Sequence, residues 1–297
     1  MTALDIDRSL PFVDAHHHVT EPSRLRYDWL TEDGAIYTGL LGDYKLARAD
    51  WPMARLLREF HGSNVTASVH VEASYDGADP VDETRYLETV AGEFGMPNAF
   101  VVLVDMLTEA GACQLDAHLA ASGRVRGVRI REHPAGGGDA TFLANLRRLA
   151  DLDLSFEIRA WPGPLRDARI SAEAAPDTRF VVGNAGMPME RGGSYFARWR
   201  SEMAVLAALP NVHVKVSGLG MADHRWTLDS IRPYVLACLD LFGTERTMFG
   251  SNWPVDVVYS SYLATIDAYR VLVAEAGLTR DEQASVLATN AETFYRI

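Results

Sequence analysis

The stretch Pro11-Phe12-Val13-Asp14-Ala15-His16-His17-His18-Val19 starts as an apolar run and ends in polar residues that a buried strand ordinarily avoids. On an extended chain side chains alternate between faces, so His16 and His18 are expected on one face with Asp14, and Ala15 and His17 on the other. Two imidazoles then converge at one strand end. A purification tag does not sit inside Phe-Val-Asp-Ala, so the stretch reads as a functional strand terminus.

Working outward, apolar runs of strand length recur at Phe12–Val19, Val65–Ala73, Phe100–Met106, Val125–Arg131, Leu154–Trp161, Arg179–Gly186, Val212–Gly218 and Thr247–Pro254. Helical patterns lie between and after them, at Pro52–Phe60, Glu83–Phe94, Gln114–Ala121, Thr141–Ala150, Tyr195–Leu209, Ser230–Phe242, Ser261–Ala276 and Arg280–Phe294. Eight strand-then-helix alternations in 297 residues predict an α/β fold, a (β/α)8 TIM barrel in a single domain over residues 1–297. The irregular stretch Thr20–Ala49, which holds Tyr27, Trp29, Tyr37 and Tyr44, is expected to be a long capping loop after the first strand.

Composition narrows the class. The chain is 48% apolar and carries 28 basic against 40 acidic residues, a net charge of −12, which disfavours nucleic acid or an anionic membrane as partner. The two cysteines, Cys113 and Cys238, lack metal-ligand spacing and suit a reducing cytoplasm, and no run approaches a membrane span. A small molecule is the expected partner.

Strand parity predicts which groups face the barrel interior. Thr66, Ser68, His70 and Glu72 oppose an apolar set in the second run; Arg129 and Arg131, then Ser155, Glu157 and Arg159, then His213, Lys215 and Ser217 do so in later runs. Helices cover the apolar face, so the polar sets are expected inside, with Glu157 paired to Arg129 and Glu72 to Lys215 where they form ion pairs.

The block Asp14-Ala15-His16-His17-His18 resembles the Asp-Ala-His-x-His signature of the amidohydrolase superfamily, in its amidohydrolase-2 branch, which includes sugar-acid lactonases and 2-pyrone-4,6-dicarboxylate lactonase. The resemblance continues through Val69-His70-Val71-Glu72-Ala73, Val125-Arg126-Gly127-Val128-Arg129, Asn184-Ala185-Gly186-Met187-Pro188, Val214-Lys215-Val216-Ser217-Gly218 and Phe249-Gly250-Ser251-Asn252-Trp253-Pro254. It spans essentially the whole chain.

That resemblance implies a hydrolase opening a lactone or related ester. Metal-dependent relatives hold a divalent ion with the two first-strand histidines, later histidines and an eighth-strand aspartate. Here Asn184 and Asn252 stand at two of those positions, and an amide is a poor zinc ligand. The expectation is therefore hydrolysis without a tightly bound metal; the alternative is one divalent ion such as zinc on His16, His18 and Glu157. His16, His18 and Lys215 would polarise the carbonyl, and Glu157, ahead of Glu72 and Asp256, would activate water. Arg129, Arg131 and His133 would hold a substrate carboxylate. Tyr27, Trp29, Tyr44 and Trp161 would wall the pocket, with His70, Asn184, Asn252 and Trp253 also against the substrate. The other readings are an isomerase, cyclase or decarboxylase on the same barrel, or a non-catalytic ligand-binding barrel.

Overall fold

The computed structural model describes residues 6–31, 37–160 and 165–297. Strands β1 (Phe12–His17), β2 (Val65–Val71), β3 (Ala99–Leu103), β4 (Val125–Arg129), β5 (Ser155–Ile158), β6 (Arg179–Val182), β7 (Val212–Val216) and β8 (Thr247–Phe249) form one sheet in that order, each pair of neighbours parallel. Backbone bonds from His18 N to Trp253 O and from Asn252 N to His16 O, both 2.7 Å, join the first strand to the eighth. The strands meet so closely there that a Cβ on Gly250 would lie 2.6 Å from the His16 backbone nitrogen. The result is the (β/α)8 barrel that the alternation predicts.

Helices α1 (Thr38–Leu41), α2 (Met53–Glu59), α3 (Asp82–Phe94), α4 (Ala110–Ala121), α5 (Ala140–Asp151), α6 (Leu165–Ala174), α7 (Gly193–Ala207), α8 (Leu228–Phe242), α9 (Tyr262–Glu275), α10 (Arg280–Ala284) and α11 (Asn290–Tyr295) complete the described elements, apart from short turns. The sequence pattern does not predict α6. Its buried side chains are mostly small or polar (Leu165, Asp167, Ala168, Ser171, Ala172), so its inner face lacks the run of large apolar residues that marks helices such as α5 and α8. No described helix is long and apolar enough to cross a membrane.

Two apolar layers hold the barrel. Outside, Phe12, Phe100, Val128, Phe156, Phe180 and Val214 pack against Leu87, Phe142, Leu146 and Trp199 of the helices. Inside, Val13, Ala15, Val69, Val71, Val101, Val181 and Met248 pack with Phe294 and Tyr295, which close the amino-terminal end of the strands. Arg179 at the start of β6 donates to Phe294 O at 3.0 Å, which marks that end as the floor.

Two parity expectations are corrected. In β2 it is Ala67, Val69 and Val71 that turn inward, while His70 turns toward α3, its Nε2 3.8 Å from Glu83. Strands of a parallel barrel are buried on both faces, so an apolar set does not by itself identify the outer one. In β1, Asp14 pairs with Ser68 and His17 with His70, three steps against two. This bulge re-aims the strand end. His16 and His18 reach the barrel mouth, whereas Asp14 bonds Tyr262 of α9 and His17 packs edge-on to Phe60, so Asp14 does not share the histidine face.

Candidate functional site

A pocket of about 690 Å³, open to solvent, lies at the carboxyl ends of the strands. His16, His18, Arg129, Asn184 and Asn252 line its polar side; Ala73, Ala160, Met187, Met221 and Val255 line much of the rest. The stretch after β1 covers it as expected, contributing Trp29, Tyr37, Leu40 and Leu41. Trp29 is fixed by donating Nε1 to Ala73 O at 2.7 Å and by stacking on Tyr44.

Both pocket histidines are neutral near pH 7. Burial, and then the positive charge of Lys215, hold His16 well below the ordinary imidazole range; burial and Arg129 do the same for His18. Their second nitrogens differ. His18 Nδ1 lies 2.7 Å from Val71 O, a carbonyl that only accepts, so Nδ1 carries the proton and Nε2 is a bare acceptor. Ser217 Oγ accepts from Asn184 Nδ2 at 3.2 Å and lies 3.2 Å from His16 Nδ1, a contact that either tautomer of the His16 ring satisfies. His18 thus offers an acceptor toward the pocket, and the His16 ring stands edge-on to it with centroids 5.2 Å apart.

Beneath them lies a buried charge network. Glu157 Oε2 accepts from Lys215 Nζ at 2.6 Å, and Glu72 Oε1 accepts from Arg129 Nε at 2.6 Å. The expected Glu157–Arg129 ion pair is present at the longer distance of 3.9 Å, whereas Glu72 pairs with Arg129 and not, as expected, with Lys215. The partners lie on different strands, and cross-barrel distance rather than parity selects them. Among the described residues Glu157 Oε1 has no hydrogen-bond partner; it sits 3.8 Å from His16 Nδ1.

A second polar chain reaches His16 from behind. Asp256 Oδ1 accepts from Asn252 Nδ2 at 2.9 Å, Asn252 Oδ1 accepts from Asn184 Nδ2 at 3.4 Å, and Asn184 bonds Ser217. Burial pushes the Asp256 carboxyl up to about 7. The native protein therefore keeps this proton above the pH at which the unfolded chain releases it. The corresponding stability is present below about pH 4 and lost as pH rises toward about 7, by up to about 1.4 kcal/mol per pH unit. Asp256→Asn abolishes the titration, so its melting temperature should rise relative to wild type between pH 5 and pH 8; a difference that stays constant over that range would contradict the account.

Several sequence-predicted positions do not line the pocket. Arg131 is half-exposed and bonds Tyr75 O and Asp76, and His133 bonds Ser171 and Pro134 O, so neither joins Arg129 around a substrate carboxylate. Tyr27 donates to Glu83 at 3.0 Å, Trp253 packs against Trp51 and Tyr262, His70 accepts from Val19 N, and Tyr44 stands behind Trp29. Glu72, Glu157, Lys215 and Asp256 lie one layer back. Trp161 is outside the described residues. Sequence reasoning did not assign Met187, Met221, Val255 or Arg159 to the pocket; of these only Arg159 left a signal, its inward parity.

The family model described as Amidohydrolase matches residues 13–297. An uncharacterized protein of Sinorhizobium fredii is 30% identical over 300 residues, covering 97% of this chain and 99% of that protein. An L-fucono-1,5-lactonase of Burkholderia ambifaria is 32% identical over 227 residues, 73% of this chain and 76% of the enzyme. Among solved structures, an amidohydrolase from Burkholderia multivorans with bound zinc superposes with a TM-score of 0.79 at 25% identity, covering 97% of this chain and 99% of that one.

Proposed function

The chain belongs to the amidohydrolase family, and from that membership we propose that it is a hydrolase opening a small lactone by acid–base chemistry of its two pocket histidines. The similarity to a lactonase supports the reaction class. The observation that carries the mechanism is the pair of neutral imidazoles side by side in the pocket, with His18 Nδ1 held by Val71 O; the mechanism takes His16 in the tautomer with its proton on Nε2, which Ser217 supports as donor to Nδ1. Water between the rings gives its proton to His18 Nε2 as its oxygen bonds the lactone carbonyl carbon. His16 Nε2–H donates to the carbonyl oxygen as it becomes an oxyanion, with Arg129 adding positive charge on the same wall. The carbon–oxygen bond of the ring then breaks, and the leaving alkoxide takes the proton from His18. Lys215 and Glu157 lie beneath and set the local field.

The donor set does not fit a tightly bound divalent ion. No three histidine, cysteine or carboxylate side chains among the described residues converge as a ligand group. One Glu157 oxygen is held by Lys215, and a dication would join Lys215 and Arg129 where two carboxylates already balance two cations. One observation favours a second reading, with Glu157 as base: its Oε1 is buried and unpartnered.

The test is a lactone panel followed with a pH indicator, before and after prolonged chelation, beside elemental analysis. Acid release that survives chelation, with well under one equivalent of zinc, is the expected result. Stoichiometric zinc, lost with activity and restored by added zinc, would move His16, His18 and Glu157 to the role of ligands. Thermal stabilisation by lactones without turnover would indicate a binding protein.

A further inference from the structure

The cations around the pocket differ in what they already hold. Arg129 gives Nε to Glu72 Oε1 and Nη2 to Glu72 O, at 2.6 and 2.7 Å; Lys215 is committed to Glu157; Arg131 is turned away to Asp76. Arg159 lines the pocket with only two bonds near the limit of hydrogen-bond length, to Arg131 O at 3.4 Å and Tyr37 Oη at 3.5 Å, and has no carboxylate partner among the described residues. A guanidinium has five donors, so most of this one is uncommitted. Arg159 follows Glu157 by two residues at the end of β5, which places its backbone roughly 6–7 Å farther toward the mouth. The same pocket carries an apolar and aromatic lining, with Trp29, Leu40, Leu41, Met187 and Met221.

We propose that Arg159 anchors a carboxylate on the substrate, so that the preferred substrates are anionic lactones with an apolar body rather than neutral, polyhydroxylated ones. A carboxylate supplies the planar, bidentate partner that a guanidinium matches. Those hydroxyl groups of a sugar lactone that meet the apolar lining rather than Asn184, Asn252 or the histidines would lack partners, which costs binding. Tyr37 belongs to the cap, so an anion held at Arg159 also sits against the covering segment. The assignment names the substrate class of the site and rests on the lactone reading for its chemistry.

The test pairs turnover with binding. Wild type should open 5-oxotetrahydrofuran-2-carboxylate with a higher kcat/KM than its methyl ester or L-fucono-1,5-lactone. In Arg159→Met the acid-to-ester ratio should fall roughly 10- to 100-fold, mostly through KM, and Arg159→Lys should recover part of it. Calorimetric titration with cyclopentanecarboxylate and cyclopentanecarboxamide reads the anchor without turnover; the acid should bind more tightly, and Arg159→Met should abolish the difference. Equal turnover of acid and ester by wild type, or an acid-to-amide preference that survives Arg159→Met, overturns the proposal while leaving lactone opening intact. Arg159-dependent binding of the acid in a protein that opens no lactone would uphold the anchor and defeat the hydrolytic reading instead.

Discussion

His18→Ala should lower kcat/KM for lactone opening by about 10²- to 10⁴-fold, the usual contribution of a positioned general base, with little change in KM. The ring of His18 is oriented by its Nδ1–H bond to Val71 O, so only Nε2 remains to take a proton from water. Alanine removes that acceptor without disturbing a charged partner, because the imidazole is held neutral by burial and by Arg129. The variant should keep the circular dichroism of wild type. A loss under tenfold would sink the assignment of His18 as base. The obvious comparison, Glu157→Gln, leaves the Lys215 ammonium buried without its carboxylate, so it has to be made together with Lys215→Met. If that double variant falls more than a hundredfold while His18→Ala does not, Glu157 is the base.

The second large effect is on stability. Lys215 and Glu157 are buried in the barrel interior beneath the pocket histidines, with the ammonium 2.6 Å from the carboxylate. Lys215→Met removes one partner and strands the other charge, leaving Arg129 at 3.9 Å as the nearest compensation. Stability should drop by about 3–5 kcal/mol, whereas adding Glu157→Gln should recover much of the loss, because replacing both members of a buried pair is far less costly than breaking it. Urea unfolding of the single and double variants measures this. A double variant no more stable than Lys215→Met would mean that Lys215 acts through packing, for instance over the Tyr295 ring at 5.6 Å, rather than through charge.

The residues alone determined the architecture, because strand and helix periodicity is local and repeats eight times. Two strand-end histidines were legible for the same reason: polar residues closing an apolar run need a purpose that the local pattern exposes. Orientation was less legible. With both faces of each strand buried, parity fits either assignment, and in β1 a bulge between Asp14 and His17 shifts it again. Partner choice was not legible at all. Arg129, Arg131 and Arg159 read alike in the sequence, yet folding sets Glu72 against the first and Asp76 against the second, and leaves the third with a carbonyl and a phenol. Which charge stays uncommitted depends on side chains brought together from distant parts of the chain, and Coulombic pairing over a few ångströms is decided only once the barrel has closed.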